Sequence, residues 1–121
     1  MKLRTIFAAV LFIPVYMFAS IAGTYEVAGV DPLSFSKYNA TLVIEKNDSG
    51  YSAHWAFPDG SFDNGTGVRH DNSIAFVFNE NNSSSFGVQL YEIHGDLLKG
   101  PWVRYQAAQS GYEIAQKMHN N

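Results

Sequence analysis

The sequence predicts an all-β protein: an up-and-down antiparallel meander of about eight strands that closes into a small barrel behind an N-terminal signal peptide. Three observations predict it. Apolar and polar residues alternate with a period of two through much of the chain, as half-buried strands require. The alternating runs are separated by short turns such as Asn47-Asp48-Ser49-Gly50, Asp59-Gly60, Asp71-Asn72 and Gly95-Asp96, which suit hairpins between neighbours. Finally, Lys2 and Arg4 precede an apolar run, Ile6 to Phe18, that ends in Ser20-Ile21-Ala22.

That opening has the three parts a signal peptidase reads: a positive start, an apolar stretch and small residues at −3 and −1, here Ser20 and Ala22. Cleavage is expected after Ala22, leaving 1–22 as leader and 23–121 as a single β-barrel domain. The apolar run is short of the roughly 20 residues of a bilayer span and contains Pro14, so no membrane span is expected after cleavage. The expected location is outside the cytoplasm, in a periplasm or the medium. With no Cys there is neither a lipid-anchor site nor a disulfide framework, so core packing alone must hold a small domain together. Aromatic residues at 15% make that feasible, because each ring buries a large apolar area. The leader holds two basic residues and no acidic one, so six Lys and Arg then face 11 acidic residues, a net charge of about −5. That balance, with no basic run, argues against nucleic acid or an anionic membrane surface as partner.

The first strand starts at Tyr25. Leu42 and Ile44 alternate with Thr41, Val43 and Glu45, and the Asn47 to Gly50 turn leads into Tyr51 to Phe57, where Ser52 and His54 take the face opposite the large apolar residues. Asn64 to His70 follows, then Ile74 to Phe78, and the polar stretch Asn79 to Ser85 reads as a loop. Phe86 to Ile93 and Leu97 to Tyr105 complete seven strands. The last segment is open between two readings. Residues 112–118 contain good helix formers and a Glu113 to Lys117 pair at i, i+4, whereas a meander with two open edges favours an eighth strand that pairs with both. The strand is preferred.

Gly67, Gly87 and Gly100 fall inside strands, where they often mark bends or bulges. The apolar phase switches from Phe86, Val88 and Leu90 to Tyr91 and Ile93, which fits a bulge near Leu90 or a strand covered on both faces. An eight-stranded barrel is just wide enough to be filled by side chains or to hold one small ligand.

Gly23-Thr24-Tyr25, the short-turn meander and the run from Gly87-Val88-Gln89-Leu90-Tyr91 to Leu98-Lys99-Gly100-Pro101-Trp102 are similar to small secreted bacterial barrels of the lipocalin and avidin type. Lipocalins carry Gly-x-Trp on the first strand with a basic residue packed over it; here Tyr25 replaces the Trp, and Lys117 is the residue that could stand in. The resemblance implies a barrel with room for something inside and assigns no ligand residues.

Recognisable chemistry is sparse. His54, His70, His94 and His119 lack the spacing of metal ligands, so no metal or other cofactor is expected. No Gly-x-Ser-x-Gly is present, and Asp48, Asp59, Asp71 and Asp96 sit where turns need them. Tyr25, Trp55, Phe76 and Trp102 come from different strands and could face one interior, as core or as the wall of a pocket for a small apolar or aromatic ligand. Glu113 and Arg104 could pair or place charge at a barrel mouth. Val43, Ala75, Val77, Tyr91 and Ile93 read as an apolar outer stripe, an interaction surface for another exported protein or a homodimer partner.

The functional expectation is a non-enzymatic exported binding module that uses the barrel mouth or the outer face. The alternative is a small barrel hydrolase or isomerase with a Tyr, Glu or His-lined cavity. A cavity holding a His or Glu within hydrogen-bond reach of a Tyr favours the enzyme; a filled interior with an exposed Tyr91/Ile93 stripe favours the interaction module.

Overall fold

A computed structural model describes residues 20–31, 34–80, 83–106 and 110–119; residues 1–19, most of the expected leader, lie outside them. Eight strands follow in order: β1 (Gly23–Val30), β2 (Lys37–Lys46), β3 (Tyr51–Ala56), β4 (Phe62–His70), β5 (Ser73–Glu80), β6 (Phe86–His94), β7 (Leu97–Arg104) and β8 (Ser110–Lys117). Each pairs antiparallel with the next, and β8 returns to β1, so the meander closes as a barrel. The last segment is a strand because it has two partners. Its backbone groups are satisfied by β7 on one side and β1 on the other, which outweighs the helix propensity of Glu113 to Lys117.

Inward residues alternate strictly. Ala53 and Trp55 are buried on β3 while His54 and Ala56 face out, as the period-two pattern predicts. On β6 the expectation fails in one respect: Tyr91 is fully buried and Ile93 packs against the core, so neither belongs to an outer stripe. Both faces of this strand are apolar, so alternation alone does not choose between them. The register does, setting Gln89 beside Phe76 and Tyr91 beside Ile74 on the inner face. Val77 is 53% exposed and faces out, as expected, and Val43 is partly exposed on the outer side. Val77, Val88 and Val103 are among the exposed apolar residues of the outer side and lie in register across β5, β6 and β7.

There is no bulge at Leu90. Gln89 pairs with Trp102 and Glu92 with Lys99, the same offset on both sides. The ladder lapses between them, where Pro101 has no N–H to give. The Gln89 side-chain amide fills in, donating to the carbonyls of Leu90 (3.0 Å), Gly100 (3.1 Å) and Pro101 (3.2 Å).

The inward glycines make room for rings. Gly29 pairs with Tyr38, Gly67 with Phe76, Gly87 with Phe78 and Gly111 with Trp102, and in each pair an added Cβ would run into the partner's ring. Laying a ring flat over a cross-strand glycine lets a narrow barrel hold so many aromatics. At the end bearing the 47–50, 71–72 and 95–96 turns, Ile44, Ile74, Leu98 and Ala115 fill the interior, and Ile21 inserts from the segment before β1. The end bearing the other four connections is hollow.

Gly100 is the glycine least able to change, because an added Cβ would overlap the Leu90 carbonyl, a backbone atom that cannot rotate away. Gly100→Ala is expected to lose about 1–3 kcal/mol of unfolding free energy, read from urea denaturation.

Candidate functional site

The hollow end is a cup of about 670 Å³, with Asp31, Lys37, Asp59, Glu80 and Arg104 among the residues at its rim. Its walls are aromatic. Tyr38 stacks on Phe57 with centroids 5.9 Å apart and meets Trp102 edge-on at 6.3 Å. Phe78 stands edge-on between Trp55 (5.9 Å) and Trp102 (6.4 Å), which locks each ring by its neighbours.

At the floor lies one carboxylate, Glu113, inward on β8 and 5% exposed. The Tyr91 hydroxyl donates to its Oε1 at 2.5 Å, and the Tyr38 hydroxyl donates to its Oε2. Trp55 Nε1 in turn donates to the Tyr91 oxygen at 3.2 Å. Four strands, β2, β3, β6 and β8, therefore converge on one carboxyl group. Both oxygens accept from hydroxyls, the pattern of an ionised acid, and charge-assisted bonds of this kind are the strong ones. Burial pushes the Glu113 carboxyl above the ordinary carboxylate range, against the pull of the hydroxyls. Burial first, and then the Glu113 charge, push both tyrosines well above a normal phenol, so they stay protonated and act as donors.

The rim carries more charge. Arg104 lies over the Trp102 ring, 5.1 Å from its centroid, and is held by Glu80 (Nε to Oε2, 2.5 Å) and Asp31 (Nη1 to Oδ2, 3.7 Å). It does not pair with Glu113, the arrangement the adjacent strands suggested. Asp63 projects inward from β4, and burial, then Glu80 and Glu113, push its carboxyl up to about 7. Among the described residues, neither Glu113 nor Asp63 has a cation within ion-pair distance. Among the described residues the buried indole N–H of Trp102 has no hydrogen-bond acceptor. No three metal-ligating side chains come together among the described residues.

The chain matches no known family model, and no curated protein matches it in sequence. What the site can do follows from its own chemistry.

Of the candidate ligand residues, Trp55, Trp102 and Glu113 line the cup. Tyr25 and Phe76 are inward but lie outside it: Tyr25 bonds the Ile21 carbonyl at the closed end, and Phe76 packs beneath Trp55 and Tyr91. Tyr38, Asp63 and Glu80 escaped the sequence reading as site residues, and Tyr91, which that reading puts on the outer interaction surface, is buried at the floor of the cup. Carrying the alternation of Leu42 and Ala40 back to 38, and that of Phe76 and Phe78 on to 80, would have placed Tyr38 and Glu80 on the inner face.

Raised carboxyls have a measurable consequence. Asp63 keeps its proton in the folded barrel up to about pH 7 but, in the unfolded chain, releases it near 3.8, so between these values the folded state binds more protons. Stability therefore falls as pH rises through that window, and Glu113 adds in the same direction. Urea melts at a series of pH values are expected to show this decline, and Asp63→Asn is expected to flatten it.

Proposed function

We propose that this chain is an exported binding protein whose cup takes a small organic cation with a flat apolar body. The observation that carries the reading is Glu113: a buried carboxylate at the floor of an aromatic cup, fixed by two hydroxyl donors and without a counter-cation among the described residues. A buried charge lacking its opposite is costly, and a bound cation offsets that cost. The aromatic lining suits the apolar body of the same ligand, with Trp55 joined to the Glu113 cluster through Tyr91, while Arg104 already lies over the Trp102 ring. Asp63 adds negative charge at the mouth once it ionises above about pH 7, Glu80 is paired with Arg104, and Lys37 and Arg104 are the cations of the lining. The volume falls in the range of small-molecule sites. Export rests on the leader-like start of the sequence, and the lipocalin and avidin type of architecture supplies a parallel for ligand binding inside a barrel of this size.

A second reading has a specific observation behind it. Glu113 within hydrogen-bond reach of Tyr38 and Tyr91 meets the criterion for an acid–base enzyme, and Asp63 changes protonation near neutrality. Against it, both Glu113 oxygens are already engaged and both tyrosines hold their protons firmly, so the cluster is better equipped to hold charge than to transfer it. An NMR spectrum of a bound amine that stays chemically unchanged over days separates binding from turnover.

Titration of the intrinsic tryptophan fluorescence with benzyltrimethylammonium is expected to saturate, with phenylacetate giving no response. Glu113→Gln is expected to weaken the cation by about tenfold or more, about 1.4 kcal/mol. Equal binding of phenylacetate, or full affinity in the Gln variant, would contradict the proposal.

A further inference from the structure

We propose that the functional chain retains Ile21, and that any leader is removed at or before the Ala19–Ser20 bond rather than after Ala22. The small residues Ser20 and Ala22 favour the later cut, but the barrel uses what that cut would discard. Ile21 is 2% exposed and belongs to the core at the closed end. Its carbonyl accepts the Tyr25 hydroxyl at 2.7 Å, a buried bond, and burial pushes that phenol up to about 12. At the preceding residue, Lys117 Nζ donates to the Ser20 carbonyl at 3.2 Å, and the Ala22 N–H donates to Ser20 Oγ at 3.2 Å. Ser20 to Ala22 thus forms a strap from β1 to β8 across the bottom of the barrel.

A chain beginning at Gly23 would lose each of these. The Tyr25 hydroxyl would be left without its acceptor, and a void would replace the Ile21 side chain beneath the core. The new α-ammonium would also lie beside a like charge, because the Lys117 side chain packs against Gly23, its Cε 2.7 Å and its Nζ 3.6 Å from where a Cβ would stand. Signal peptidase reads an extended chain before folding, so burial does not shield the Ala22–Gly23 bond. The fold instead says which product makes a closed cup.

The test is the intact mass of the exported product after expression of the full sequence in a secreting bacterial host. A chain starting at Ser20 or upstream supports the proposal, and any later start overturns it. Ile21→Ala, made in the same full sequence, gives an independent reading on product confirmed as exported. Its Tm is expected to fall on the order of 10 °C; a Tm identical to that of the unaltered chain means that residue 21 is absent from the folded protein and overturns the proposal.

Discussion

The structure depends on the fit between inward rings and the glycines they cross. An eight-stranded barrel has little interior, and Tyr38, Phe76, Phe78 and Trp102 each lie against a glycine on the adjacent strand. Without that relief the rings would force the strands apart or turn outward. Where aliphatic side chains such as Ile44, Ile74 and Leu98 meet instead, they are buried in one cluster. The same narrow tube is therefore solid at one end and a ring-walled cup at the other.

This division explains how a carboxylate survives at the floor. Glu113 sits where the packed half ends, so Tyr91 reaches it from the inner face of β6 and Tyr38 from β2, with Trp55 bonded behind Tyr91. The hydroxyls supply what water would otherwise give, but they bring no positive charge. Arg104, the cation nearest to hand on the inner rim, is committed to Glu80 and Asp31 and to the face of Trp102. A buried carboxyl with no cation partner among the described residues is thus built into the fold, and the proposed preference for a cationic ligand rests on it.

The sequence made the fold readable wherever one face of a strand was polar. Ser52 and His54 set the phase of β3 without ambiguity, and the Asp and Gly turns marked the hairpins; Gly95, for instance, takes the positive φ of 63° that its two-residue turn needs. Legibility failed where both faces were apolar, as on β6, since Phe86, Val88 and Leu90 look as core-like as Tyr91 and Ile93 until neighbouring strands impose the register. At β8 local propensity favours a helix, and the strand was legible only from topology, because its partner β1 lies nearly ninety residues away in sequence. The site was half legible. Trp55, Trp102 and Glu113 could be named, but the joining of Glu113 to Tyr38 and Tyr91 spans 75 and 22 residues and leaves no local spacing to find.

The most direct measurement is the titration of the Glu113 carboxyl by carbon-13 NMR, with and without an aromatic ammonium ligand. The account predicts a pKa above the ordinary carboxylate range in the empty cup, because burial dominates, and a fall when the cation binds and favours the charged form. A pKa already in the ordinary range, or one that the cation leaves unmoved, would contradict a buried, uncompensated anion as the centre of the site.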